Sequence, residues 1–143
     1  MDYNIQGAFS GGGGGGATAE TDNAALTSDF TSTNTSFTDI TGLVITIGDI
    51  TDGKTMMTAS ITIKRSQAGS MEIVLEDDGS VITSTYAQME EDGSNKERNM
   101  CTSHAMDSNG SVIKVQCKTG GGTLTIEGNT DKGTSQIVSM SVG

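Results

Sequence analysis

The sequence predicts an all-β protein: a single antiparallel β-sandwich of jelly-roll type with eight to nine strands, preceded by a flexible N-terminal arm. Three observations lead to this prediction. From about residue 30 onward, apolar and polar residues alternate with a period of two, as they do in half-buried strands. Asx-Gly pairs, which supply the positive φ angles of tight turns, separate these runs. The chain contains no proline, so no strand is interrupted by one.

The first long strand sets the pattern for the others. Between residues 38 and 47, Leu43, Ile45 and Ile47 share one face, and Val44 and Thr46 share the other. Further turn signals occur at Asp52-Gly53, Asp78-Gly79, Asp92-Gly93, Asn109-Gly110, residues 120–122 and Lys132-Gly133. We therefore expect strands near residues 35–41, 43–50, 55–65, 71–76, 80–89, 97–106, 111–118, 123–128 and 135–142.

The same alternation indicates the core. Four sets of residues each share one strand face: Met57, Ala59, Ile61 and Ile63; Met71, Ile73 and Leu75; Ile113, Val115 and Cys117; Leu124 and Ile126. In the last strand, Val138, Met140 and Val142 lie together, opposite Ile137 and Ser139. Aromatic residues make up only 3% of the chain, and methionine fills the gaps that they would otherwise occupy.

Residues 1–29 differ from the rest, and we interpret them as a Gly-rich arm before a sandwich domain at residues 30–143. Residues 11–16 are an uninterrupted glycine run, which is typical of a tether. Residues 17–29 are small and polar, and we expect them to be irregular. Tyr3, Ile5 and Phe9 are the apolar points of the first segment and are candidate partner-binding residues. A disordered tail is the alternative interpretation.

Composition limits the classes of partner. The net charge is −10 and the pI is about 4.2, which disfavours binding to nucleic acid and to anionic membranes. No stretch reaches the ~20 apolar residues of a membrane span, and no secretory signal is recognisable, so we expect assembly in a cytoplasm. Hydrophobic residues are only 33% of the chain, and partner subunits are expected to supply some of the missing burial.

One string matches a nucleotide-binding motif. Residues 48–55 fit the P-loop pattern G-x-x-x-x-G-K-[ST], in which backbone N–H groups and a helix N-terminus bind phosphate. The residues that follow alternate as a strand does, and Asp49 and Asp52 would repel phosphate. We therefore interpret this segment as a hairpin turn and expect no cofactor.

No catalytic group or metal site can be nominated, and we expect no enzyme activity. His104 is the single histidine, and the cysteines are Cys101 and Cys117. A three-residue loop at 108–110 would place these cysteines opposite each other as neighbouring buried thiols or as a disulfide, whereas a two-residue loop would separate them. The turn carboxylates, which could in principle bind calcium, fit better with solvated acidic loops. They are Asp77, Asp78, Glu90, Glu91 and Asp92.

Two segments carry a family resemblance. Residues 33–47, with a serine- and threonine-rich lead into a Phe-x-Asp-h-x-Gly-Leu strand, resemble the opening of small β-sandwich domains of tailed-phage virion proteins. Residues 135–142 resemble the closing strand of the same domains. The resemblance implies a jelly roll of the kind found in head fibres, decoration proteins and tail-fibre tips, often as homotrimers, and it carries over no catalytic residue.

The leading hypothesis is therefore a virion structural protein on the capsid surface, anchored on capsid protein by its arm. The alternative is a host-recognition module at a tail-fibre tip that binds a surface glycan or receptor. Residues 90–96 and 119–122 would then form the contact surface, although these loops lack the aromatic residues that usually stack on sugars.

Overall fold

The computed structural model describes residues 19–47, 54–92, 95–107, 111–128 and 134–142, and for residues 19, 20, 107 and 142 the backbone alone is considered. These residues form ten strands: β1 (Ala19–Ala25), β2 (Phe30–Ser32), β3 (Thr38–Thr46), β4 (Lys54–Arg65), β5 (Gly69–Asp77), β6 (Ser80–Glu91), β7 (Arg98–Asp107), β8 (Val112–Thr119), β9 (Leu124–Ile126) and β10 (Gln136–Val142). The part of the chain that the structure describes contains no helix that could cross a membrane.

The strands form two antiparallel sheets, which confirms the predicted sandwich. One sheet has the order β1-β10-β4-β7, and the other has the order β3-β8-β5-β6. The short strands β2 and β9 extend the first sheet, because β9 pairs with the end of β4 and β2 pairs with β9. Strands that are distant in sequence are therefore neighbours in both sheets, and this is the order of a jelly roll.

The turns are less uniform than the sequence predicts. Among the described strands, only β5 and β6 are consecutive and also paired, through a two-residue turn in which Asp78 has φ 45° and Gly79 has φ 91°. Two successive positive φ angles match the twist of a hairpin, as the Asx-Gly pair predicts. β3 and β4 lie in different sheets, and so do β6 and β7. The hairpin predicted at Asp52-Gly53 is therefore wrong.

The sandwich begins earlier than expected. β1 pairs with β10 over seven residues, from Ala19 opposite Val142 to Ala25 opposite Gln136. The prediction that residues 17–29 are irregular is wrong over this strand. Its small polar side chains have little strand propensity, so the backbone ladder to β10 decides its conformation. The rest of the predicted arm, with the glycine run and Tyr3, Ile5 and Phe9, lies outside the described residues.

The two strands predicted at 35–41 and 43–50 are a single strand with a bulge. The register of β3 against β8 shifts between Asp39 and Val44, and Gly42 inside this interval has φ 98°. Because the bulge adds residues to one strand, Ile40 and Leu43 both point inward although they are three positions apart. Beyond it, Leu43 and its alternate neighbours are buried and Val44 is exposed, as predicted.

The core matches the prediction except in the last strand. All four predicted sets are fully buried. In β10, however, the buried face consists of Ile137, Ser139 and Ser141, whereas Met140 is 58% exposed. The hydroxyl oxygens of Ser141 and Thr55 lie 2.6 Å apart and form a buried hydrogen bond, which satisfies both groups. The more apolar face of β10 therefore points away from the core.

Candidate functional surfaces

The outer side of the first sheet is a regular array of uncharged side chains. Residues directly opposite each other on antiparallel strands project to the same side, so the pairing registers of β1, β10, β4 and β7 define its rows. The three rows are Ala25, Gln136, Ser60 and Cys101; Asn23, Val138, Thr58 and Ser103; Thr21, Met140, Met56 and Ala105. We call these twelve residues the uncharged face.

The uncharged face is unusual for this chain. The net charge is −10, yet none of the twelve side chains is an aspartate, glutamate, lysine, arginine or histidine. Lys54 and Lys64 lie on the same side of β4, beyond the rows at either end. Met56 and Met140 are directly paired and are 52% and 58% exposed. A neutral area that exposes two methionines and is bounded by charge shares two properties with the centres of protein interfaces, the depletion of charged residues and the presence of methionine.

The last strand, β10, directs its more apolar face outward, onto the uncharged face. β10 places Val138 and Met140 outward and two serines inward. A strand that stabilised only the monomer would do the reverse, because each buried apolar side chain stabilises the fold by about 1.5–3 kcal/mol. Departures from local sequence rules concentrate at functional sites, and this one exposes methionine on the uncharged face.

The outer side of the second sheet has the opposite character. The central strands β8 and β5 place lysines directly opposite glutamates, with Lys118 Nζ 2.8 Å from Glu72 Oε2 and Lys114 Nζ 3.4 Å from Glu76 Oε2. Lys114 also lies 3.1 Å from a carboxylate oxygen of Asp39. This side therefore pairs its charges within the chain, because the buried glutamates are covered by lysines that remain partly exposed.

Two aromatic residues that are distant in sequence meet on this charged side. Phe37 and Tyr86 pack edge to face, with ring centroids 6.3 Å apart. The ammonium group of Lys118 lies 4.8 Å from the centroid of Phe37, within the range of a cation–π contact. The Tyr86 hydroxyl donates a hydrogen bond to Glu72, which also pairs with Lys118. The exposed Tyr86 and the half-buried Phe37 therefore contact each other within a network of charged side chains.

The network shifts the pKa values of its members. A hydrogen bond from Gln116, with the nearby Lys114, lowers the pKa of Asp39. Burial by itself would raise the pKa of Glu72, but hydrogen bonds from Lys118 and Tyr86 bring it below its ordinary value. The hydrogen bond to Glu72 raises the pKa of Tyr86 to about 12, because the carboxylate favours the protonated phenol.

We expect this shift to be measurable by tyrosinate absorbance in a Tyr3→Phe background, where Tyr86 is the remaining tyrosine. The midpoint should lie near pH 12 while circular dichroism shows a folded chain, and Glu72→Gln should move it toward the ordinary value of about 10. Since the folded pKa is the higher one, the contribution to stability is complete below the unfolded pKa and is lost as the pH rises through the folded value. An unshifted midpoint in the Glu72-containing protein would contradict this arrangement.

The two cysteines are not neighbours, so both pairings considered from the sequence are wrong. β7 belongs to the first sheet and β8 to the second, and the expected hairpin between them does not form. Cys101 is exposed on the uncharged face, and Cys117 is a free thiol in the core. Burial raises the pKa of Cys117 to about 12, because the apolar interior disfavours a thiolate.

Thiol labelling should therefore distinguish the two positions. The native protein should react with one equivalent of a thiol reagent at neutral pH, at Cys101, and the denatured protein with two. The thiolate is the reactive form, and Cys117 neither ionises in this range nor contacts solvent. Cys101→Ser should abolish the native reaction, and rapid labelling in that variant would show that the core opens around Cys117.

The remaining residues singled out in the sequence do not converge on a chemical site. Residues 48–53 lie outside the described part, but β4 begins at Lys54, so the P-loop string is followed by a strand. His104 is half-buried opposite Met57, on the inner side of β7. Among the described residues, no three His, Cys, Asp or Glu side chains form a group that could hold a metal ion.

Glu91, which the sequence places in a solvated acidic turn, is instead buried and paired with the partly exposed Arg98. Glu91 is the last residue of β6 and is 3% exposed, not part of a solvated loop. The Nε atom of Arg98 lies 3.2 Å from one of its carboxylate oxygens. Residues 90–91 thus belong to the sandwich. The contact loop predicted at 90–96 therefore begins only after Glu91.

Neither surface was predicted from the sequence. A signal for the uncharged face does exist: Met56, Thr58 and Ser60 in β4 fill three successive outward positions without a charge, and β7 and β10 do the same. These uncharged positions can be recognised as one surface only when the strands are known to be neighbours. The contact between Phe37 and Tyr86 has no local signal, because 49 positions of sequence separate the two residues.

Comparison with known proteins supports the fold. No protein-family model matches the sequence, and no curated protein matches it. Latent PorU from Porphyromonas gingivalis matches 94% of this chain with a TM-score of 0.59 and 12% identity, and the chain spans only 14% of that protein. Eiger TNF from S. frugiperda matches 84% of this chain over 91% of its own length, with a TM-score of 0.58 and 9% identity. Murine APRIL matches 85% over 98% of its own length, with a TM-score of 0.51 and 10% identity. These likenesses concern the jelly-roll fold alone.

Proposed function

We propose that this chain is a structural protein of a tailed-phage virion, a decoration or head-fibre subunit on the outside of the capsid. The uncharged face is the observation that carries the proposal. Charged residues are depleted at the centres of protein interfaces, because their desolvation costs free energy that pairing does not always return. A chain with a net charge of −10 that leaves twelve neighbouring outward positions of one sheet uncharged is suited to assembly through that surface.

The sequence resemblance at residues 33–47 and 135–142 is the reason for proposing that the assembly is a tailed-phage virion. Both segments belong to the sandwich, since the first runs into β3 and the second contains β10. The strand order agrees with the jelly roll that the resemblance implies. The resemblance and the jelly-roll order together support this proposal, in which the chain is assembled in the host cytoplasm and then resides on the virion surface.

The N-terminal arm is the proposed anchor on capsid protein. It joins the sandwich at Ala19, in the edge strand of the sheet that carries the uncharged face. Tyr3, Ile5 and Phe9 would each contribute about 1.5–3 kcal/mol if fully buried against capsid protein. Several arms on one oligomer would add avidity without new contacts.

Co-sedimentation with undecorated capsids of the encoding virus tests this proposal. The full chain should bind, whereas a chain lacking residues 1–16 and a Tyr3→Ser/Ile5→Ser/Phe9→Ser variant should not. Tyr86→Ser, on the exposed charged side, is the matched control and should bind as the full chain does. Binding of the shortened chain would overturn the anchor, and failure of the full chain would overturn the decoration role.

A second candidate is recognition of a host glycan, and one observation favours it. The aromatic pair consists of the exposed Tyr86 and the half-buried Phe37, and Lys118 and Glu72 beside it could bind hydroxyl groups. Glycan-array binding that is lost in Phe37→Ala and in Tyr86→Ala, but kept in Val44→Ala on the same sheet, would support this function. The absence of binding to any glycan would leave the assembly role as the single candidate.

A further inference from the structure

We infer that the uncharged face is the contact between copies of this chain, so that the protein self-associates through the outer side of β1-β10-β4-β7. This inference rests on the proposed function, because it names the partner that covers the face. It assigns an interface to twelve particular residues. Three features of the face select a second copy over an unrelated protein.

The first feature is electrostatic. Each copy carries a net charge of −10, so contact through a charged side would bring like charges together. The uncharged face is a surface through which two copies can meet without burying a carboxylate or an ammonium group. A basic partner would be recognised through acidic side chains, and this face offers none.

The second feature is chemical self-complementarity. In a symmetric contact the same patch serves both copies, so it must suit itself. The face combines small side chains, which permit close approach, with the paired methionines Met56 and Met140. Methionine adapts its shape to irregular apolar surfaces, including another methionine. The hydroxyl and amide groups around this pair act as both donors and acceptors, so each can bond to its own kind.

The third feature is size. Four strands about 4.8 Å apart and three rows about 6.8 Å apart give a projected area of roughly 400 Å². Two such faces would bury about 800 Å², which is below the ~1,200 Å² of standard specific interfaces and within the range of weak, transient contacts. The face is therefore large enough for association at high protein concentration. It is also suited to a cyclic oligomer in which neighbouring regions add further contact.

Sedimentation velocity on the purified full chain, at concentrations up to about 1 mM, tests the inference in the range where small interfaces associate. The wild type should pass from one chain to a discrete oligomer. Met56→Lys/Met140→Lys should remain one chain throughout. The matched control is Val44→Lys/Val81→Lys, which replaces two exposed apolar residues on the other sheet with the same charges and should associate as the wild type does.

The two double variants add the same charge at different positions, so a change in general charge repulsion cannot explain a difference between them. Both double variants change the net charge from −10 to −8, which reduces general repulsion equally. Thr58→Lys, in the middle row, serves as a second variant if the double substitution disturbs folding as seen by circular dichroism. Native labelling of Cys101 is an independent measurement. It should slow as the wild-type concentration rises, because Cys101 lies on the uncharged face and a second copy would cover it.

Each outcome decides the question. A wild type that stays monomeric would show that another partner covers the face, such as capsid protein or residues 1–16, and would overturn the inference. Dissociation of both double variants, or of neither, would place the contact elsewhere and overturn it as well. Because the test uses purified protein without capsids, its failure would leave capsid binding through the arm untouched.

Discussion

Replacing Met57 with alanine should lower the free energy of unfolding by about 2–5 kcal/mol, the range observed for large-to-small substitutions in cores. Replacing its neighbour Met56 should change it by less than about 0.5 kcal/mol, as is usual at the surface. The two residues are the same type in the same strand, but Met57 is fully buried and Met56 is 52% exposed. Met57 lies among buried isoleucine, leucine and methionine side chains, and truncating it would leave a cavity between them.

Urea unfolding at low protein concentration, where copies do not associate, measures both effects. The midpoint of Met57→Ala should fall strongly, and that of Met56→Ala should stay with the wild type. Equal losses in the two variants would mean that β4 does not have one face inside and one outside. A loss in Met56→Ala that grows with protein concentration would instead report the contact between copies.

Removing residues 1–29 should destabilise the sandwich by at least about 3 kcal/mol, a large part of the ~5–15 kcal/mol typical of a domain. This deletion removes the seven-residue ladder between β1 and β10. It also removes Leu26, which is 5% exposed and worth about 1.5–3 kcal/mol by burial. The newly exposed edge of β10 would in addition promote aggregation.

Removing residues 1–18 alone is the matched truncation. It keeps every contact that the structure describes, so the melting temperature should remain that of the full chain. Calorimetry on both truncations measures the difference. If the chain lacking residues 1–29 were as stable as the full chain, the domain would begin at residue 30, and the pairing of β1 with β10 would contribute nothing to folding.

Local sequence patterns suffice to predict the all-β class, the inward positions of most strands and the turn at Asp78-Gly79. These features depend on interactions within a strand or across a tight turn: alternation decides which side chains point together, and an Asx-Gly pair decides a hairpin. Alternation predicts that Met57, Ile73 and Val115 lie in the core, and all three are fully buried.

Which strands and which side chains are neighbours depends on the tertiary structure. In a jelly roll the chain passes repeatedly from one sheet to the other, so β7 and β8 are consecutive without pairing, and Cys101 and Cys117 are separated. The same crossovers bring β1 to β10 and Phe37 to Tyr86. The uncharged face depends on four strands from both ends and the middle of the chain. Each strand's sequence shows that its outward residues are uncharged. The continuous surface, however, depends on long-range strand pairing, which no local pattern encodes.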